Sequence, residues 1–376
     1  MMRGKRRALF LTVIPSPYQQ QLFARMAASN AFDMRVLYYS AGAWDRQWMP
    51  PQLASYETVM PGMKMRWVGE SAYYNPRVLQ QIAETDADLV VVSDYSVPTA
   101  QIAMRALGVR GNAWMFWGET PGFSARGRIG SFLRTQLQSP LAHATAIAAI
   151  GSRAVAAYEA LFPVKPVFNI PYFCDLRPYQ IARRSAPAAR SGDASILFSG
   201  QLIERKGVDV LLAAFSRVAQ RNRLARLVLL GSGPDGDRFK DMVPDALRDR
   251  VMFLGHREPH EVPEIFAMAQ VFCLPSRHDG WGVVVNEALG AGLPIVVSDA
   301  VGAGHDLVRD GVNGHVTRAG DVGALAEALG RLVDDAYLRA RFAEASASMA
   351  DNWGLDEGVS RWLSAADAVL SRRRAA

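Results

Sequence analysis

Residues 276–287 read Ser-Arg-His-Asp-Gly-Trp-Gly-Val-Val-Val-Asn-Glu and carry two acids, Asp279 and Glu287. An apolar stretch, 269–274, runs into this segment, and a helix is expected to start at its glycines and to end near 290–292. Asp279 then stands in the loop before the helix. Glu287 stands inside it, roughly 7 Å deeper than the helix start at 1.5 Å of rise per residue. The free N–H groups there, from Gly280, Trp281, Gly282 and Val283, and the positive helix end make a ready anion site. Gly280 and Gly282 let a phosphate come close to the backbone. Acids on both flanks of a phosphate suit the hydroxyls of two sugars, which is what holding a nucleotide-sugar requires.

A second segment supplies the opposite charge. The strand expected at 195–199 leads into Gly200-Gln201-Leu202-Ile203-Glu204-Arg205-Lys206-Gly207, and a helical pattern follows over 208–218. Two adjacent cations at a helix entry can neutralise a diphosphate leaving group. Alone, Arg205 and Lys206 would read as a solvated loop pair; with the acids downstream they read as part of a site.

At these residues the chain resembles the retaining glycosyltransferases of family 4 (glycosyltransferases group 1). That family carries a Gly-x-x-x-x-Arg/Lys-Lys-Gly loop and an acid-x7-acid motif ahead of a Glu-Ala-Leu/Met helix. Here these are residues 200–207 and Asp279-x7-Glu287 followed by Ala288-Leu289. Gly255-His256, Leu274-Pro275-Ser276 and residues 292–299 fit the pattern too. The likeness is dense from 195 to 320 and looser before, with one departure: the first acid is usually Glu and here is Asp279. The resemblance implies an α/β chain of the GT-B fold, two facing Rossmann-like domains with a cleft between them, and a metal-independent hexosyltransferase reaction. It implies that Arg205 and Lys206 face the diphosphate of a UDP- or GDP-sugar, with Gly200 beside them, and that Glu287 accepts from ribose hydroxyls. Asp279 would accept from the transferred sugar, and His256 and Arg257 would lie near the base. The acceptor hydroxyl would attack from the leaving-group face, with retention and without a protein nucleophile. Relatives of this kind often build bacterial surface polysaccharide, lipopolysaccharide or lipid-linked glycans.

The elements that must position these residues are long enough to exist. The chain has 376 residues, 50% hydrophobic and 21% charged, enough for two domains with full cores. No apolar run approaches the roughly 20 residues that span a bilayer. The run 8–14 imitates a signal peptide but is short and ends at Pro15, so a buried first strand is expected. Cys174 and Cys273 are the only cysteines, which suits a reducing cytoplasm. The net charge of +6 calls for an anionic partner. No nucleic-acid-binding motif is visible, while a diphosphate donor or an anionic membrane face would answer it. The basic ends, Arg3, Lys5, Arg6, Arg7 and Arg372–Arg374, could together dock an otherwise cytoplasmic protein peripherally on the inner membrane face.

Short apolar runs alternate with helical patterns, the signature of parallel sheets. Strands are expected at 8–14, 34–39, 89–93, 113–117 and 146–150, and helices at 19–28, 322–333, 336–349 and 356–370. Residues 1–178 read as an acceptor-binding Rossmann-like domain, 179–194 as a linker, 195–355 as the donor-binding domain, and 356–376 as a helix crossing back to the first. Ligands of such sheets bind beyond the carboxyl ends of strands. In the first half that edge offers Ser16, Tyr18, Asp94, Tyr95 and Glu119, and by the resemblance a glycan or lipid-linked acceptor. Trp114, Phe116 and Trp117 share a strand and are expected in the core.

Two rivals remain in the residues. Gly231-Ser232-Gly233-Pro234-Asp235-Gly236 matches a dinucleotide fingerprint and would fit an NAD-type oxidoreductase, though a proline interrupts it and it follows a later strand. Asp279 in place of Glu would fit a catalytically weak nucleotide-sugar-binding scaffold. Asp86-Ala87-Asp88 and Asp235-Gly236-Asp237 are badly placed for a metal, and Pro259 separates His256 from His260, so no metal and no cofactor are expected.

Overall fold

A computed structural model describes residues 5–42, 52–65, 72–122, 127–186 and 194–375, without the side chains of 127–131 and 373–375. The chain forms two compact units, Met1–Tyr172 with Leu355–Ala376, and Phe173–Gly354.

The first unit is built on strands β1 (Arg6–Thr12), β2 (Phe32–Tyr38), β3 (Glu57–Val59), the short antiparallel pair β4 (Met63–Lys64) and β5 (Tyr73–Tyr74), β6 (Leu89–Ser93), β7 (Trp114–Gly118), β8 (Ala146–Ala149) and β9 (Val167–Asn169). Seven of them make one parallel sheet in the order β3-β2-β1-β6-β7-β8-β9. Helices α1 (Pro17–Ala28), α2 (Val78–Thr85), α3 (Pro98–Arg110), α4 (Gly127–Gln138) and α5 (Ser152–Leu161) connect them. A parallel sheet covered on both faces needs apolar side chains in both directions, so its central strands read as unbroken hydrophobic runs. All five residues of β6 and of β7 are buried accordingly. Helix α1 starts with Pro17 at a position where a missing N–H costs nothing, and buries Gln19, Leu22, Phe23 and Met26 along one stripe.

The second unit repeats the plan. Helix α6 (Arg177–Ser185) precedes β10 (Ala194–Ser199), α7 (Val208–Arg221), β11 (Ala225–Leu230), α8 (Gly236–Asp241), β12 (Val251–Gly255), α9 (Val262–Ala267), β13 (Val271–Leu274), α10 (Val284–Gly290), β14 (Ile295–Ser298), α11 (Gly304–Leu307), β15 (Gly314–Thr317), α12 (Val322–Asp334) and α13 (Ala336–Ala350). The strands pair in parallel in the order β12-β11-β10-β13-β14-β15. In both sheets the strand order reverses beside the unit's first strand, between β1 and β6 and between β10 and β13. Loops after strands diverge there and leave a crevice, the usual ligand position in open α/β sheets.

The last helix, α14 (Leu355–Ala375), belongs to the first unit. Trp362 packs edge-on against Phe10 and Trp117, with ring centroids 5.1 and 5.3 Å apart. Arg6 pairs with Asp367 at 2.6 Å, and Arg25 with Asp356 at 2.6 Å.

Three expectations need correcting. Residues 179–185, read as part of the linker, lie in α6 with Tyr179 buried; its single buried side chain gives too little periodicity to see, and 187–193 lie outside the described residues. Helix α10 begins at Val284 rather than at the glycines, so Glu287 lies in its first turn instead of 7 Å deep. The basic N-terminus is not a free patch: besides Arg6, Arg7 pairs with Asp86 at 2.6 Å and with Asp88 at 2.9 Å. Arg3 and the side chains of Arg373 and Arg374 lie outside the described residues. Among those described, no helix is long and apolar enough to cross a membrane.

Candidate functional site

In the second unit the two motif loops leave β10 and β13, neighbours in the sheet, and are joined between residues 204–206 and 277–279. The N–H of Arg277 donates to the carbonyl of Arg205 at 2.8 Å. The Arg205 guanidinium donates to the carbonyl of His278, and the Arg277 guanidinium to the carbonyl of Glu204, each at 2.8 Å. Arg277 also grips Asp209 with both terminal nitrogens, at 2.8 and 2.6 Å, and these hydrogen bonds hold the Asp209 carboxyl below the usual carboxylate range. The result is that Lys206 Nζ lies 2.5 Å from Asp279 Oδ2, with both side chains close to nine-tenths buried. A lysine and an acid 73 positions apart in sequence thus share one place.

Glycine makes that juxtaposition possible. Gly207 has φ +71°, and a Cβ there would overlap the carbonyl oxygen of Pro275 in the neighbouring loop. The same reasoning accounts for the dinucleotide-like turn. Cβ atoms on Gly231 and Gly233 would overlap the carbonyl oxygens of Gly200 and Leu202, because the turn lies backbone to backbone along the Arg205–Lys206 loop. Gly200 N–H donates to Leu230, Leu202 N–H to Ser232, and Glu204 N–H to Asp235 Oδ2. Its glycines serve loop packing.

After Asp279 the backbone stays clamped to residues 300–303. Asp279 N–H donates to Ala300, Gly302 N–H to Asp279, and Ala303 N–H to Trp281. Gly282 turns with φ +88°, and the N–H groups of Gly280, Gly282 and Val283 precede the first internal bonds of α10, which Asn286 and Glu287 make to Val283. Trp281 does not offer its ring: it is 1% exposed, its indole N–H donates to Asn286 Oδ1 at 2.9 Å, and it faces Trp353. Only its backbone could meet a donor. His256 and Arg257 follow β12 on the surface, and Arg257 is 3.9 Å from Glu261, a weak exposed pair.

Glu287 points instead toward α6. Burial pushes its carboxyl up to about 7, and a hydrogen bond from the Tyr179 phenol opposes that rise. Tyr179 was not visible as a site residue in the sequence, since it falls in a stretch without clear periodicity. The free thiol of Cys174 is buried nearby and pushed up by burial and by the Glu287 charge.

In the first unit a cavity of about 330 Å³ opens at the β1/β6 reversal. All three acceptor-side residues named from the sequence, Ser16, Tyr18 and Glu119, line it, together with Asp94 and Tyr95. Ser16 is 2% exposed and donates to Gln19 Oε1 at 2.9 Å. The Tyr18 ring lies 4.8 Å from that of Tyr172, which in turn stands edge-on to Trp117 at 5.5 Å. Tyr158 donates to the Glu119 carbonyl at 2.9 Å. Tyr158 and Tyr172 come from a helix and a chain segment far along the sequence, and no local motif marked them. Trp114, Phe116 and Trp117 are all at or below 1% exposure and belong to the core. Among the described residues, no three His, Cys, Asp or Glu side chains gather as a metal site.

Residues 180–349 match the sequence profile of the family described as Glycosyl transferases group 1. The alpha-D-kanosaminyltransferase of Streptomyces kanamyceticus is 30% identical over 155 residues, 41% of this chain and 40% of that protein. The chain therefore spans well under two thirds of the length of that relative. The D-inositol 3-phosphate glycosyltransferase of Streptomyces griseus is 29% identical over 90% of this chain and 77% of its own length. Among solved structures, Anabaena Alr3699/HepE in complex with UDP superposes with a TM-score of 0.72 at 17% identity, covering 96% of this chain and 100% of that one. At that identity the likeness shows the fold, GT-B with two Rossmann-like domains.

Proposed function

Residues 180–349 are a member of the glycosyl transferases group 1 family, and on that premise we propose that the chain is a retaining glycosyltransferase. It moves a sugar from a nucleotide-diphosphate sugar to a glycan or lipid-linked acceptor. The observation that carries this reading is the Lys206–Asp279 pair at 2.5 Å, at the carboxyl ends of β10 and β13 and beside the helix entry at 280–284. Lys206 has three N–H donors, so it can hold Asp279 and still meet a phosphate oxygen. Arg205 has five, of which the His278 carbonyl takes one.

In the proposed reaction the second unit holds the donor. Lys206, Arg205 and the backbone N–H groups at 280–283 stabilise the negative charge that grows on the diphosphate as its bond to the anomeric carbon breaks. The bonding pair leaves with the phosphate oxygen. The acceptor hydroxyl, held by the first unit, forms the new bond on the face the phosphate leaves and gives its proton to that phosphate. Asp279 accepts from a hydroxyl of the sugar and Glu287 from the ribose. The UDP-bound fold relative supports a uridine donor.

Thermal unfolding with UDP, GDP and their sugars tests the donor half. A ligand at 100 times its dissociation constant adds about 2.7 kcal/mol. UDP and one UDP-sugar should stabilise, and the product of transfer should keep the donor's anomeric configuration by NMR. No stabilisation by any nucleoside diphosphate would sink the reading, and an inverted product would sink its retaining step.

A further inference from the structure

The charged groups that the proposed reaction uses in the second unit sit on two separate loops, so the distance between those loops is itself part of the machinery. Arg277 is charged and stands two positions before Asp279, yet that reaction leaves it idle. Among the described residues its hydrogen bonds all run back to the other loop and the helix behind it. Nη1 donates to the Glu204 carbonyl and to Asp209 Oδ1, each at 2.8 Å, and Nη2 donates to Asp209 Oδ2 at 2.6 Å. The main-chain N–H donates to the Arg205 carbonyl at 2.8 Å. Both hydrogens of Nη1 are thereby committed to holding the other segment.

Asp209 can serve as an anchor because α7 is one. It stands in the first turn of that helix, where Val208, Leu211 and Phe215 are fully buried. A carboxylate that grips both terminal nitrogens fixes the plane and direction of a guanidinium, which a lysine ammonium in its place would leave free. From that fixed plane Arg277 holds the carbonyl of Glu204, the residue that opens the single turn Glu204–Lys206. In the opposite direction Arg205 holds the carbonyl of His278. The two arginines cross, and the contacts 204 to 277, 205 to 277, 205 to 278 and 206 to 279 follow one another up to the Lys206–Asp279 pair. The Arg277 and Asp209 side chains are 37% and 23% exposed, and ion pairs so close to water contribute little to stability. What this pair can set is the position of the residues next along, Lys206 and Asp279.

Resting on the transferase reading, we infer that Arg277, oriented by Asp209, is a positioning residue for Lys206 and Asp279. It acts through the two-pronged shape of its guanidinium and not through its charge on the diphosphate. The charge that meets the diphosphate is left to Lys206 and Arg205.

Calorimetric titration of the full chain with UDP, and with GDP beside it, decides this. Arg277→Ala should weaken the nucleotide that binds about tenfold, and Arg277→Lys should weaken it as much, because the charge is kept but the fork is lost. Asp209→Asn should act in the same direction and less. In a chain already carrying Lys206→Ala, adding Arg277→Ala should weaken binding little further, since the residue being positioned is gone. Without nucleotide all the variants should unfold near the wild-type temperature. If Arg277→Ala fails to fold, Arg277→Lys and Asp209→Asn carry the test. Wild-type affinity in Arg277→Lys would show that charge alone suffices and overturn the inference. Additive losses in the double variant would overturn it too, and so would a lowered unfolding temperature with unchanged affinity. A wild-type chain that binds neither nucleotide sinks the transferase reading and this inference with it; a wild type that binds, with any of those results, sinks this inference alone.

Discussion

The two units share a strand order and keep their candidate sites at the same topological point, yet the sites are built in opposite ways. In the second unit a cation, an acid and a run of backbone N–H groups come from two short loops, each contiguous in sequence. In the first, the cavity collects residues from the ends of β1, β6 and β7, from α5 and from Tyr172, with Trp362 of α14 packed behind Trp117. A phosphate can be met by backbone and one or two charges, so a short loop suffices. A sugar's many hydroxyls need donors and acceptors from several directions, so the site must be gathered from many segments.

Variants can break this contrast. The largest effect is expected from Trp362→Ala. It removes a fully buried ring from behind the cavity and should cost about 3–5 kcal/mol in thermal unfolding. If sugar binding survives unchanged in that variant, the cavity does not depend on the distant helix. Lys206→Ala should lower turnover roughly 100- to 1,000-fold, as loss of one preorganised contact to a leaving group does. A near-normal rate would remove the Lys206–Asp279 pair from the reaction.

A pH series sharpens the role of Glu287. Its carboxyl lies at about 7 in the folded chain against 4.5 for the ordinary group, so between those values the folded state binds the extra proton. Its contribution to stability therefore falls as pH rises from 4.5 to 7 and is flat above, by about 3 kcal/mol at most. Glu287→Gln should remove that slope. Nucleotide affinity should rise over the same window, because ribose hydroxyls donate to the ionised form, and the rise should move to higher pH in Tyr179→Phe. A pH-independent affinity would detach Glu287 from the ribose.

Gly207→Ala should cost about 1–3 kcal/mol from the left-handed backbone alone, and should weaken nucleotide binding by pushing the Pro275 loop away. Unchanged nucleotide affinity would mean that the loop contact does not shape the site. Excess EDTA should leave the transfer rate unaltered, and a Mn²⁺ or Mg²⁺ requirement restored by titration would contradict the mechanism.

The sequence carried most of the fold. Unbroken apolar runs marked the central strands of both sheets to within a few residues, because a two-sided parallel sheet needs them. The short edge strand β3 escaped: it has three residues, and its buried Glu57 is satisfied by the Tyr38 phenol at 2.6 Å and by the N–H of Ala54, a polar pattern that resembles a loop. Arg205, Lys206, Asp279 and Glu287 were each named from a contiguous motif; the structure joins Lys206 to Asp279, while Glu287 meets Tyr179 instead. Trp281 was read as a donor contact because it stands in the motif, and its side chain proved to be core.

What the sequence determined by itself was therefore the strand–helix alternation, the placing of charged residues after strands, and the glycines that turn those loops. Only the tertiary structure decided that Lys206 and Asp279 touch, that Glu287 is raised by burial against Tyr179, and that Ser16, Tyr18, Asp94 and Glu119 line one cavity. The reason is physical: propensity and periodicity act over a few residues, while burial, close backbone approach and opposed charges depend on which distant strand ends the sheet order brings side by side.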